Sequence, residues 1–395
     1  MAMNPDKNRA RLIFLIFGMY FITGVVCMIL GTSLTSISGL LGTPVEKTVL
    51  LGTWFAAGRV STVYLNSKLV ERYGPLKVLF AGVLSIVLYM CGIVCFKNYY
   101  VCIPLAFFAG FGMGTQDTVC PLLISEVYPT TYSSALSAGQ AFYGVGGFSL
   151  SLLIGFLLSK FVPFYDAYII LSLVGIVMLA VIPFSEYEQN SEIDHSEKII
   201  PLKTDNPKLL LTIILIICFI YCTVVNSIGL YTTNYLEDIG LNRSQAAYYF
   251  TLYNVGCLTG SIAYVWILKK ISEKRVLLMN SIGGALAVGV VAHSQRNIVI
   301  LFCLLAAGFF LGNLFSVIVA IATRIEYQHI SVASSKIAMA GGLGDIVTPI
   351  WTALIVKAYG VRTSYGIIVW QILALLLVSA LLEVLTKENN YGSSK

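Results

Sequence analysis

Twelve long apolar runs decide what this chain can fold into. They cover residues 12–38, 47–67, 77–96, 101–125, 132–159, 165–184, 208–235, 244–268, 276–294, 298–323, 333–356 and 362–386. A helix needs about 20 apolar residues to cross the hydrocarbon of a bilayer. In lipid, and at this length, only an α-helix satisfies its own backbone within one segment. Composition points the same way. Charged residues make up 11% of the chain, against about 25% in a soluble domain. The expected fold class is therefore an all-α membrane protein with twelve transmembrane helices embedded in a lipid bilayer. Turn chemistry such as Tyr73-Gly74-Pro75 and Asn242-Arg243-Ser244 separates the runs.

Basic residues set the direction. The basic N-terminal stretch leads straight into the first run, which is too long for the core of a signal peptide and reads as a retained span. Seventeen Lys and Arg residues fall on the side that holds both termini and the long central loop, and seven fall on the other. By the positive-inside rule both termini lie in the cytoplasm, and the protein is expected in the plasma (cytoplasmic) membrane. The net charge of +6 follows from this loop bias and calls for no nucleic-acid partner. The nine cysteines sit in or beside apolar runs. Even the i,i+4 pairs Cys91/Cys95 and Cys218/Cys222 read as small packing residues. His195, His293 and His329 are scattered, so no metal site is expected, and no cofactor. No catalytic set appears, which argues against an enzyme.

The chain also repeats itself. Shifted by 198 residues, Gly31 falls on Gly229, Gly42 on Gly240, Gly58 on Gly256, Gly110 on Gly308, Gly114 on Gly312, Gly144 on Gly342 and Gly146 on Gly344. Chance gives about one or two such coincidences. AGFGMG at 109–114 lies over AGFFLG at 307–312. Glycines at matched places let helix backbones approach closely. The organisation expected is an N-terminal six-helix bundle at 1–184, a cytoplasmic linker at 185–207 and a C-terminal six-helix bundle at 208–395.

Two parallel six-helix repeats form a known transporter plan. With SKLVERYGPLK at 67–77 after the second run, the chain resembles the major facilitator superfamily over its whole length. Glu71, Arg72 and Gly74 match that family's loop signature in kind. The second-half counterpart, LKKISEKR at 268–275, keeps the positive charge and reads as having lost the acid and the glycine. TQDTVCPLLISEVYP at 115–129 and LSAGQAFYGVGG at 136–147 resemble the fucose permease-like group of sugar–proton symporters. Cys120 stands where that group has asparagine. The resemblance implies a monomer that moves a small solute by alternating access, with spans 1, 4, 7 and 10 lining a cavity.

Ionisable groups deep in spans are functional candidates. Asp117 and Asp345 are the proton-coupling candidates, because a carboxylate partly withdrawn from water holds its proton to higher pH. Arg59, midway along span 2, is a solute-binding candidate, with Tyr20, Gln140, Tyr143, Asn226, Asn254, Asn313 and Trp351. Amides suit hydroxyl-rich solutes because they donate and accept at once. In the resembled fold spans 2 and 11 are neighbours, so Asp345 is one expected partner for Arg59. The alternative is a helix carbonyl or a fixed neighbour within the N-terminal half. Arg324, Glu326 and Lys336 are expected to snorkel from the cytoplasmic helix ends. The reading that results is a secondary active transporter of a small polar solute, a sugar or related metabolite, coupled to protons. The alternatives are a proton-coupled exporter of lipophilic compounds and a transport-inactive membrane sensor.

Overall fold

The computed structural model describes residues 5–43, 45–187, 202, 206–241 and 243–386. Most of the expected linker lies outside the described residues. Twelve α-helices are described: α1 Pro5–Leu41, α2 Val45–Tyr73, α3 Pro75–Phe96, α4 Tyr99–Val127, α5 Tyr132–Ser159, α6 Asp166–Val181, α7 Pro207–Asp238, α8 Arg243–Ile267, α9 Glu273–His293, α10 Asn297–Leu311, α11 Leu314–Ile325 and α12 Ile330–Leu385. One 3-10 turn, Ile182–Phe184, ends α6. No strand occurs among the described residues.

The helices do not map one-to-one onto the apolar runs. The tenth run, 298–323, is divided between α10 and α11, which meet at Asn313. The last two runs share α12, where Gly360 alone leaves helical geometry, with φ 79 and ψ 169. Glycine carries such a φ at no steric cost, so a single residue breaks the helix between spans. Nine segments of the described residues are helical, long and apolar enough to cross a membrane. Helices α2, α4 and α5 are 29, 29 and 28 residues long. At about 1.5 Å per residue they too exceed the bilayer core.

The described chain forms two compact units. The first comprises Met1–Pro129, Ala138–Asp194 and Ser334–Met339, and the second Thr130–Ser137, His195–Ala333 and Ala340–Lys395. Within each unit three of the repeated glycines are points of close approach. A Cβ on Gly58 would lie 2.0 Å from the Phe107 carbonyl oxygen, and one on Gly256 would lie 2.1 Å from that of Leu305. A Cβ on Gly110 would meet the Phe55 carbonyl oxygen at 2.1 Å, and one on Gly308 that of Tyr253 at 2.0 Å. Gly146 faces the Phe21 carbonyl and Gly344 that of Phe219. In all three pairs glycine and target both shift by 198, so the repeat is structural down to single backbone atoms.

The loop after α2 shows why the repeat departs from itself. Gly74 has φ 83 at the N-cap of α3, followed by Pro75 at the first helical position. No atom crowds its missing side chain, so the backbone angle alone calls for glycine. Its counterpart Ser272 caps α9 with φ −65 and ψ 148, a conformation open to any residue. The second half therefore needs no glycine there.

Candidate functional site

The answer to how Arg59 lives in the membrane is local to its own unit. Gly58 and Gly110 press α2 onto α4 so closely that a Cβ on Gly110 would lie 2.6 Å from the Arg59 backbone nitrogen. Asp117 lies seven residues, about two helical turns, along α4 from Gly110, on the same face. Arg59 Nε donates to Asp117 Oδ2 at 2.9 Å, with side chains 11% and 2% exposed. Pro121 lies inside α4 and has no N–H to give to the carbonyl of residue 117. The helix thus lacks one backbone hydrogen bond where the carboxylate sits.

Of the partners considered for Arg59, the structure shows a neighbour within the N-terminal half. Asp345 accepts from Asn226 Nδ2, at 2.5 Å.

Around Arg59 and Asp117 lies a buried polar cluster that the sequence only partly announces. Gln116 is 3% exposed and its Oε1 accepts from Thr23 Oγ1 at 2.5 Å. Cys27 Sγ donates to Met113 Sδ at 3.4 Å. Tyr143 lies near Cys27 and near the charges of Arg59 and Asp117. Close packing of α1 on α5 brings it there: a Cβ on Gly24 would sit 2.0 Å from the Tyr143 carbonyl oxygen. Four helices therefore converge, and three predicted residues, Arg59, Asp117 and Tyr143, meet.

The repeat serves as an internal control on what this polarity is for. The counterparts of Arg59 and Asp117 are Cys257 and Phe315. In the C-terminal unit the counterpart contact, of Asn226 with Asp345, replaces Met28 against Gly147, whose Cβ would lie 2.8 Å from Met28 Cγ. Each polar contact therefore occupies a place that the other half fills with apolar atoms.

The remaining predicted residues are dispersed. Tyr20 is 2% exposed and its ring lies against Gly139. Gln140 is half-buried, and Asn254 is exposed. Asn313 is buried at the α10–α11 junction, where its Oδ1 accepts from Ser316 Oγ at 2.9 Å. Trp351 is half-buried and lines a small cavity with Ser227 and Gln371. Glu71 and Arg72 are exposed, with the Arg72 guanidinium 5.3 Å from the Tyr73 ring centre.

Arg324 corrects a further expectation. It does not snorkel: it is 7% exposed and its Nη1 lies 2.6 Å from Glu273 Oε2. Glu273 belongs to the stretch read as having lost its acid. The acid has moved to the first turn of α9, where the helix N-terminus also favours negative charge.

Helices of membrane-spanning length, an internal repeat and buried charge in spans are the features of a membrane transporter. Residues 16–242 and 213–394 match the family model described as Major Facilitator Superfamily. The chain belongs to that superfamily and is a multi-pass membrane protein. Protein TsgA of Shigella flexneri is 23% identical over 371 residues, covering 91% of each chain. Among solved structures, FucP in the outward conformation superposes with a TM-score of 0.76 at 16% identity, covering 94% of this chain and 98% of that one. The proton:xylose symporter XylE bound to 6-bromo-6-deoxy-D-glucose gives a TM-score of 0.76 at 12% identity, covering 97% and 100%. The transporter fold is thus of the kind found in sugar symporters.

Proposed function

We propose that this protein moves a small polar solute, a sugar or related metabolite, across the cytoplasmic membrane by alternating access, coupled to protons through Asp117. The observation that carries the reading is the buried ion pair of Arg59 with Asp117, at 2.9 Å, in a place the repeat fills with cysteine and phenylalanine. A charge pair in a low-dielectric interior is weak evidence for stability, and an ionisable group inside a membrane span is by default a functional one.

The chemistry follows from one proton. Ionised, Asp117 balances the guanidinium. Protonated, it no longer does, and Arg59 turns to another oxygen, a hydroxyl or anionic oxygen of the solute. Loading the proton and loading the solute are thereby linked at one side chain. The likeness of the fold to FucP, a fucose:proton symporter, and to XylE, a proton:xylose symporter, supports this class of cargo. The excess of Lys and Arg on one side of the spans supports cytoplasmic termini. The bundles at 1–184 and 208–395, joined by a linker at 185–207, and a monomeric state complete the proposal.

Proteoliposomes loaded with labelled monosaccharides test it. Asp117→Asn is expected to abolish uphill uptake driven by an imposed proton gradient while keeping exchange of solute across the membrane. A variant that still follows the proton gradient would remove Asp117 from the mechanism.

A further inference from the structure

A small cavity of about 10 Å³ lies inside the C-terminal unit. Ser227 and Tyr231 of α7 line it, with Trp351 and Ile355 from α12 before Gly360 and Ile368 and Gln371 from α12 after it. Its walls are apolar apart from a few groups, and two of these are unsatisfied. Ser227 is 1% exposed, and both its Oγ and Gln371 Oε1 are buried with no hydrogen-bond partner among the described residues.

Two such atoms on residues that line one cavity demand an account. Leaving a buried donor or acceptor unpaired costs roughly 1–3 kcal/mol, and the large majority of buried polar groups have a partner. A single water needs about 10–15 Å³ of probe-occupied volume and two to four polar partners. The cavity meets the first condition for one molecule and the two orphaned oxygens meet the second.

We infer that the cavity binds one ordered water, which donates to Gln371 Oε1 and shares a hydrogen bond with the Ser227 hydroxyl. Lone-pair geometry fits this: an amide oxygen only accepts, whereas a hydroxyl does either. The site joins α7 to both limbs of α12 across the break at Gly360. It also braces the turn of α7 that carries Asn226, the next residue, whose side chain leaves the helix about 100° away and holds Asp345 at 2.5 Å. Neither residue of the water site belongs to the Arg59–Asp117 cluster, so the inference stands apart from the proposed coupling.

Thermal unfolding of the full-length protein in detergent tests it by sign. If water satisfies both groups, Ser227→Ala strands Gln371 and Gln371→Leu strands Ser227. Each single variant then lowers Tm, by about 2–4 °C, and the double variant loses less than the sum. If no water binds, each single variant removes an unsatisfied polar atom and raises Tm, and the effects add. A high-resolution density map supplies a second readout: a water peak between the two side chains is expected, and its absence in a map that resolves other buried waters overturns the site.

Discussion

Replacing Arg59 alone by methionine is expected to destabilise the protein by about 3–5 kcal/mol, the usual cost of stranding one member of a buried ion pair. Asp117 is 5% exposed and must then either hold an unbalanced charge or take up a proton in a site built for the carboxylate. The double variant, Arg59→Met with Asp117→Leu, is expected to recover most of the loss. Cys257 and Phe315 stand at the matching places of the other half, so apolar side chains suit this geometry. The same double variant is expected to show no proton-driven uptake. Unfolding midpoints in detergent and gradient-driven uptake in vesicles separate the two effects. A double variant as unstable as the single one would mean that the pair holds the helices together, and the coupling role would lose its support.

The second large effect is expected at Gly110. Gly110→Val puts a branched side chain where a Cβ already meets the Phe55 carbonyl oxygen at 2.1 Å and the Arg59 nitrogen at 2.6 Å. Both are backbone atoms, so no rotamer change relieves the clash and α2 must move. Overpacking of this kind costs about 1–3 kcal/mol, occasionally more, and here it also shifts Arg59 away from Asp117. Gly308→Val is expected to cost as much stability, because its Cβ meets the Tyr253 carbonyl oxygen at 2.0 Å, yet it leaves the Arg59–Asp117 pair alone. Gly289→Ala is the control. Nothing lies within 4 Å of its missing side chain, and alanine is the better helix former by about 1 kcal/mol. Surviving fraction after heating, measured for all three, is expected to rank Gly289→Ala above the parent and both valine variants below it. Equal tolerance at Gly110 and Gly289 would refute the close-approach account.

Much of this architecture was written in local sequence. Hydropathy sets spans because each helix must satisfy its own backbone in lipid. Three of the glycine coincidences at 198 residues marked helix contacts, because only glycine allows carbonyl-to-Cα distances this short. Arg59 and Asp117 stood out as candidates because charge in a span is rare. Gly74 was legible as a turn residue from its place beside Pro75.

Their partners were not legible. Arg59 and Asp117 are 58 residues apart, and whether they meet depends on how α4 is rotated against α2, which the Gly58–Gly110 contact decides. Hydropathy cannot supply that rotation, since nearly every face of a span is apolar. For the same reason the sequence did not single out Asp117 as a partner for Arg59, nor the amide of Asn226 as a partner for Asp345. Arg324 near a helix end read as a snorkelling cation, until folding placed Glu273, 51 residues away, against it. Sequence alone determined which segments enter the bilayer and where the chain repeats, because those depend on each segment's own transfer energy. The pairing of its few charges fell to the tertiary structure, because in a low dielectric a charge is settled by whichever group lies a few ångströms away.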